Sequence, residues 1–141
     1  MIRVLFLCTG NACRSQMAEG WARRLLAGRV EARSAGMRPS RPDPRAVEVM
    51  AEAGVDIAHQ RSKHVREVIH LSFDAVVTLC GDAREHCPRF PGRTRVLHRG
   101  FDDPPRLAAA AADAEEALRH YRRVRDEIRA FVERLPEILQ G

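Results

Sequence analysis

The chain of 141 residues lacks the long hydrophobic runs and the cysteine density that mark several classes of protein. No apolar run approaches the roughly 20 residues that a membrane-spanning helix needs. The first residues also lack the charged and apolar regions of a signal peptide, so we expect a cytoplasmic protein without a membrane partner. Four cysteines are too few for a small disulfide-stapled protein of this length. In a reducing compartment we expect them to be catalytic, metal-binding or part of the core.

Lysine is almost absent, since Lys63 is the only one, and arginine carries nearly all of the positive charge. The formal net charge of +5 raises the question of nucleic-acid binding. The arginines are spread from Arg3 to Arg134, and acids are interleaved with the densest group on a predicted helix, which comprises Arg119, Arg122, Arg123, Arg125 and Arg129. This pattern indicates a solvated helix face, so no nucleic-acid partner is expected. A mildly positive field also suits a small dianionic substrate.

Hydrophobic residues make up 45% of the chain, which predicts one compact domain over residues 1–141 and, we expect, a monomer. Strands are predicted at residues 2–7, 30–34, 74–79 and 93–97. Helices are predicted at residues 15–27, 44–53, 62–69 (capped by Ser62) and 113–139, with a loop at 108–112. This alternation predicts an α/β fold with a four-stranded parallel sheet and helices on both faces. Ligands bind such sheets at the carboxyl ends of the strands, where Cys8, Cys80 and the loop after Leu97 fall.

A thiol, Cys8, lies at the predicted turn between the first strand and the first helix. Successive backbone N–H groups at such a turn bind oxyanions, and no proline removes one here. The predicted oxyanion-binding residues are Thr9, Gly10, Asn11, Ala12, Cys13, Arg14 and Ser15. Arg14 can bind two oxygens at once, and Ser15 can cap the helix or donate to the Cys8 sulfur. The helix N-terminus and Arg14 predict a lowered pKa and a nucleophilic thiolate at Cys8.

Cys87 and Arg93 have the same spacing as Cys8 and Arg14, but Pro88 and Pro91 lie between them and remove two N–H donors. That second segment therefore cannot form a complete oxyanion site.

The motif from Cys8 to Trp21 resembles the start of the thioredoxin-coupled arsenate reductases, which share the fold of the low-molecular-weight protein tyrosine phosphatases. Matching segments continue along nearly the whole chain, at residues 34–36, 76–80, 87–88, 100–104 and 123–128. The resemblance implies reduction of arsenate to arsenite, with thioredoxin as the electron donor and no tightly bound cofactor. It also implies weak phosphatase activity, because arsenate and phosphate are alike as oxyanions.

The resemblance implies a relay of three cysteines. Cys8 attacks arsenic while Asp103, which precedes Pro104, protonates the leaving oxygen. Asp102 is the less favoured candidate for the acid, and we expect it to order the loop. Cys80 then attacks Cys8, Cys87 attacks Cys80, and thioredoxin reduces the Cys80–Cys87 disulfide. Cys13 matches a position outside the relay.

A helical turn after Cys80 separates it from Cys87 by about 10 Å, at ~1.5 Å per residue. A disulfide needs Cα atoms within roughly 4.4–6.8 Å. We therefore expect the segment to rearrange, with Gly81 as the hinge.

Some members of the family hold potassium near the oxyanion loop, and Asn11, Glu19 and Ser34 match three positions of that site. At the fourth position Lys63 replaces the usual acid. This departure favours a chain without bound metal, and our hypothesis is that the Lys63 ammonium replaces the cation and pairs with Glu19.

Three alternatives remain open at this point. The same loop suits a low-molecular-weight protein tyrosine phosphatase that hydrolyses phosphomonoesters through a cysteinyl-phosphate, although Pro105 stands where those enzymes place a tyrosine. A non-catalytic sensor could use Cys80 and Cys87 as a redox switch. A zinc site is disfavoured, because neither Cys8–Cys13 nor Cys80–Cys87 has the short spacing of structural zinc ligands.

Overall fold

The structure is a computed structural model that describes residues 1–140. It contains four strands, β1 (Ile2–Cys8), β2 (Val30–Gly36), β3 (Ala75–Thr78) and β4 (Arg95–His98). All neighbouring strands pair in parallel, in the order β2-β1-β3-β4. The helices are α1 (Arg14–Leu25), α2 (Pro44–Glu52), α3 (Gly81–Glu85), α4 (Pro104–Ala109) and α5 (Ala114–Gln140), with a 3-10 turn at Val65–Glu67. The predicted α/β fold with a four-stranded parallel sheet is confirmed.

The core forms around β1, whose residues Val4 to Cys8 are buried because the strand lies between β2 and β3. Helix α5 contributes one apolar face at helical spacing, which includes Tyr121, Val124 and Ile128. Helix α1 packs on α5, and Trp21 Nε1 donates to the Arg125 carbonyl at 3.1 Å. The prediction of a solvated arginine face on α5 holds only in part: Arg119, Arg123 and Arg129 are exposed, whereas Arg122 and Arg125 are partly buried because they pair with Glu52 of α2.

Two local predictions are wrong. The predicted helix at residues 62–69 is only the 3-10 turn, and His64 caps it by accepting from Arg66 N. Ser62 is not its cap, because its hydroxyl donates to the Asn11 carbonyl at 2.6 Å. Helix α4 was not expected, although its first residue, Pro104, is a residue favoured at that position.

The sheet brings the ends of three strands together at one edge. Leu7 pairs with Thr78, and Thr78 pairs with His98, so the segments after β1, β3 and β4 leave the sheet side by side. This register places Cys8, Cys80 and the loop before α4 at one site.

Of the helices within residues 1–140, none combines the length and apolar character that a bilayer crossing requires.

Candidate active site

The oxyanion loop, residues 8–15, turns its carbonyl groups outward onto partners elsewhere in the protein. The carbonyls of Cys8, Thr9, Gly10 and Ala12 accept from backbone N–H groups within residues 37–43, at 2.8–3.1 Å. The carbonyl of Asn11 accepts from side chains. Because the N–H and C=O of a trans peptide point in opposite directions, the next N–H in each unit faces the inside of the loop. This arrangement is compatible with the predicted oxyanion-binding role of the loop N–H groups, which stays a prediction.

Asn11 is the residue that holds the loop in this shape. It has a positive φ of 48°, a left-handed conformation that asparagine tolerates. Its Oδ1 accepts from Lys63 N at 3.0 Å. Because only the oxygen of the amide can accept from an N–H, this contact identifies the other amide atom as Nδ2. Its Nδ2 therefore donates to Ser15 Oγ at 2.8 Å and to Ser34 Oγ at 3.0 Å.

Cys8 Sγ lies 2.8 Å from Ser15 Oγ. Since Ser15 already accepts from Asn11, its own hydroxyl proton is free to point at the sulfur. Burial raises the pKa of Cys8, while the Ser15 hydroxyl, the amides of Ser15 and Asn11, and Arg14 lower it. Burial is the larger effect, so the prediction of a lowered Cys8 pKa is wrong. The nucleophile is a buried thiol surrounded by groups that stabilise its thiolate.

Arg14 and Asp103 lie at the mouth of the loop. Arg14 Nη2 is 3.6 Å from Asp103 Oδ1, and Nη1 donates to the Phe101 carbonyl at 3.1 Å. Asp103 has extended backbone angles immediately before α4, as expected for a residue before proline. Asp102 does not face this mouth but pairs with Arg123 at 3.0 Å, which orders the loop.

A cavity of about 220 Å³ lies between the loop and this acid. It is lined by Cys8, Thr9, Gly10, Ala12, Cys13, Arg14, Asp103 and Pro105. The predicted nucleophile, the predicted anion-binding arginine and a carboxyl group therefore line one open cavity.

Cys80 lies at the rim of the same loop. Its Sγ is 3.2 Å from Thr9 Oγ1 and accepts from Ala83 N at 3.4 Å at the start of α3. Thr9 Oγ1 also donates to Asp82 Oδ2 at 3.3 Å. One hydroxyl thus links the residue after Cys8 to the second thiol.

The remaining two cysteines differ in their surroundings. Cys87 is half-buried beyond α3, and burial raises its pKa. Cys13 is buried in the loop, and burial raises its pKa further, with Asp43 adding to the effect. All four cysteines are free thiols. Within residues 1–140, no three His, Cys, Asp or Glu side chains are placed to hold a metal ion together.

The region that resembles a potassium site is built around Lys63. Its Nζ donates to the Ser34 carbonyl at 2.8 Å and the Arg61 carbonyl at 2.9 Å. Glu19 pairs with Arg23 at 2.6 Å and accepts from Ser34 Oγ, so the predicted direct pairing of Lys63 with Glu19 is wrong. A potassium ion at the Ser34 carbonyl would be repelled by this ammonium, and the residues present do not fit the ion.

Two supports of the loop could not be found from the sequence motif. Tyr121 OH, on α5, donates to Asp43 Oδ2, and Asp43 N donates to the Ala12 carbonyl at 2.9 Å. Gln16 Nε2 donates to the Asn11 carbonyl at 2.9 Å. The contact between Tyr121 and Asp43 joins parts of the chain 78 residues apart and left no local signal, whereas Gln16 lies within the motif but its type alone does not indicate this contact.

The geometry agrees with comparisons to known proteins. A family model described as low molecular weight phosphotyrosine protein phosphatase matches residues 3–140. An arsenate reductase of Bacillus licheniformis is 46% identical over 134 residues, covering 95% of this chain and 94% of the relative. An arsenate reductase of Bacillus subtilis is 47% identical over 125 residues, covering 89% and 88%.

Solved structures give the same result. An arsenate reductase in the phosphate binding state superposes with a TM-score of 0.79 at 31% identity, over 99% of both chains. A low molecular weight protein tyrosine phosphatase from T. tengcongensis gives 0.74 at 29%, over 97% and 99%. A thioredoxin-dependent arsenate reductase of Corynebacterium glutamicum gives 0.72 at 27%, over 99% of this chain and 62% of that one.

The chain therefore belongs to the low molecular weight phosphotyrosine protein phosphatase family. Within that family it groups with the arsenate reductases.

Proposed function

We propose that this protein reduces arsenate to arsenite through a relay of Cys8, Cys80 and Cys87 that thioredoxin regenerates. The observation that carries the proposal is the second thiol, Cys80, at the rim of the oxyanion loop, 3.2 Å from Thr9 Oγ1. Hydrolysis needs one nucleophilic sulfur and water. Reduction needs two electrons, which thiols supply by forming a disulfide.

In the first step the loop amides and Arg14 bind the oxyanion. Because Cys8 is held as a thiol, its proton passes to the bound oxyanion as its sulfur attacks arsenic. Asp103 donates a proton to the departing oxygen, which leaves as water. The new bond is Cys8 Sγ–As, and arsenic remains pentavalent.

In the second step Cys80 Sγ attacks Cys8 Sγ. The sulfur–arsenic bond breaks and its electron pair stays on arsenic, so arsenite is released and a Cys8–Cys80 disulfide forms. Cys87 then attacks Cys80, which frees Cys8 and leaves a Cys80–Cys87 disulfide. A dithiol partner reduces that disulfide, and such chemistry requires a reducing compartment, for which we propose the cytoplasm.

The relatives support this proposal in two ways. One related structure is an arsenate reductase in a phosphate binding state, which agrees with a tetrahedral oxyanion as the ligand of this loop. Another is a thioredoxin-dependent arsenate reductase, which supports thioredoxin as the electron donor.

The proposal is tested by arsenate-dependent NADPH oxidation with thioredoxin and thioredoxin reductase. Cys8→Ser abolishes turnover, and Cys80→Ser and Cys87→Ser abolish repeated turnover. Cys13→Ser is the control for loss of a thiol outside the relay, and because it keeps the backbone N–H of the loop, repeated turnover should continue. A Cys87→Ser variant that cycles at the normal rate with thioredoxin would show that the three-thiol relay is wrong.

A weak phosphatase activity accompanies the reductase in this proposal, because Cys8, Arg14 and Asp103 line one cavity. Hydrolysis of a phenyl phosphate is expected to survive Cys80→Ser and Cys87→Ser and to be lost in Cys8→Ser. Fast hydrolysis without arsenate reduction would instead make the protein a phosphatase.

A further inference from the structure

The excess of positive over negative charge is concentrated in one stretch, although arginines occur along the whole chain. Residues 84–99, called the basic segment below, contain five arginines and one acid, Glu85, and so carry a formal charge of +4 out of +5 for the whole chain. The five arginines are all exposed, and they are Arg84, Arg89, Arg93, Arg95 and Arg99. The rest of the chain is therefore close to neutral.

These charges are not neutralised locally. In the part of the chain that the structure describes, residues 1–140, no ion pair involves an arginine of the basic segment. On α5, by contrast, Arg122 and Arg125 pair with Glu52, and Arg123 pairs with Asp102. The basic segment is therefore an exposed surface of net positive charge that attracts acidic groups.

The basic segment surrounds the thiols that end the relay. It begins in the last turn of α3, which follows Cys80, and it contains Cys87. Strand β4 pairs with β3, and β3 leads through Cys80 into α3, so the basic segment adjoins the end of β3 that carries the second thiol. Its positive charge therefore lies beside the thiols that a reductant must approach.

The middle of the basic segment is anchored rather than loose. Phe90 packs edge-on against Phe73 with ring centres 6.0 Å apart, and Thr94 Oγ1 donates to the Phe73 carbonyl at 2.8 Å. Val96 is 53% exposed on the edge strand β4 and offers an apolar contact beside the charges. Arginines around exposed apolar side chains are typical of protein–protein interfaces.

We propose that the basic segment is the docking surface for the protein that reduces the Cys80–Cys87 disulfide, and that this partner carries an acidic surface around its dithiol. This inference rests on the proposed function. One partner thiolate attacks the disulfide to form a mixed disulfide, and the second thiol resolves it, so the partner is oxidised and this chain is reduced. Opposite charges accelerate such encounters by about 10- to 1000-fold, and salt screens the effect.

The test uses the oxidised full chain, whose Cys80–Cys87 disulfide is verified by peptide mass spectrometry, and reduced thioredoxin as the probe. The rate constant of disulfide reduction is measured for a triple variant, Arg84→Glu, Arg89→Glu and Arg93→Glu. The matched control is Arg29→Glu, Arg66→Glu and Arg119→Glu, which makes the same charge change at exposed positions elsewhere.

We expect the rate constant to fall at least tenfold in the basic-segment variant and less than twofold in the control. In the wild type it should also fall with rising ionic strength, and this salt dependence should be lost in the variant. Reduction by dithiothreitol, which has no acidic surface, should be unchanged in all three proteins. A slower dithiothreitol reaction would indicate a folding defect, and the corresponding Arg→Gln variants then replace the Glu variants.

Three results would contradict the proposed docking surface. The rate constant of disulfide reduction could fall equally in the control, it could stay unchanged in the basic-segment variant, or in the wild type it could be independent of ionic strength. A fourth contradicting result would be that the wild type binds a short DNA duplex in a salt-sensitive way, and that the triple variant loses this binding while it still reacts normally with thioredoxin. Because this assay contains no arsenate, its failure is separate from failure of the proposed function. The proposed function would fail if the reduced wild type released no arsenite in a single turnover with arsenate, or if no Cys80–Cys87 disulfide formed.

Discussion

At Cys8 the effect of burial opposes the effects of neighbouring polar groups. Burial favours the thiol, whereas Ser15 and Arg14 favour the thiolate. Ser15 has this effect because Asn11 occupies its acceptor site and Lys63 N fixes the orientation of Asn11. The predicted nucleophile therefore depends on a chain of hydrogen bonds in which the orientation of Asn11 is fixed and the Ser15 hydroxyl is available to donate to a thiolate at Cys8.

Ser15→Ala is expected to raise the pKa of Cys8 further, since it removes the hydroxyl that stabilises the thiolate. A hydrogen bond to a charged group is worth about 1.5–3 kcal/mol, which corresponds to roughly one to two pH units. The measurement is the pH dependence of Cys8 alkylation followed by mass spectrometry. Ser40→Ala is the control, because Ser40 touches the loop through its backbone N–H. An alkylation profile that Ser15→Ala does not move would refute this account.

Lys63→Met is expected to destabilise the protein by about 1–3 kcal/mol, because it leaves the Ser34 and Arg61 carbonyls without their donor. The measurement is urea unfolding.

The melting temperature of the wild type should be equal in potassium chloride and sodium chloride at the same ionic strength. The melting temperature of Lys63→Asp should instead be higher in potassium chloride than in sodium chloride. A wild type that potassium strongly stabilises or activates would contradict the replacement of the cation by Lys63.

Among the secondary-structure elements, β2 and the segment after it act as a scaffold for the oxyanion loop. Gly36 ends β2, and a Cβ at this position would lie 2.6 Å from the Thr9 carbonyl and 2.9 Å from Asn11 N. Both contacts are with backbone atoms of the oxyanion loop. If the loop moved to make room for a Cβ, the orientation of its N–H groups would change.

Gly36→Ala should therefore weaken phosphate binding at least tenfold, measured by calorimetry or by the phosphate-induced rise in melting temperature. Gly81→Ala is the matched control for affinity, because its added methyl group meets nothing within 4 Å. Equal phosphate affinity in Gly36→Ala and the wild type would show that the close approach of β2 does not shape the loop.

The elements that periodicity defines were predictable, and those that depend on distant contacts were not. The apolar strands and α5 follow from spacing alone. Ser62 has the sequence signal of a helix cap, but a tertiary hydrogen bond to Asn11 uses its hydroxyl instead. For the same reason no local pattern could pair Tyr121 with Asp43, which are 78 residues apart. The position of the oxyanion loop between β1 and α1 was predictable because the strand and the helix that flank it have clear apolar patterns.

For the whole molecule, the proposed relay requires a rigid sheet edge beside a segment that can rearrange. Cys8 is fixed at the end of the central strand, whereas Cys80 and Cys87 flank the five-residue helix α3. A five-residue helix is stabilised by few hydrogen bonds of its own, so it is among the elements that open most easily.

Oxidation to the Cys80–Cys87 disulfide should therefore unwind α3, because a helical path keeps the two Cα atoms about 10 Å apart, beyond disulfide reach. The measurement is amide hydrogen exchange of the reduced and oxidised chains. Exchange should rise at residues 81–87 and stay unchanged in β1 and β3, whose amides belong to the core. Cys87→Ser treated with the same oxidant is the control and should keep α3 protected. Retention of protection at residues 81–87 in the oxidised chain would mean that the disulfide forms without unwinding α3, and the hinge at Gly81 would then have no role.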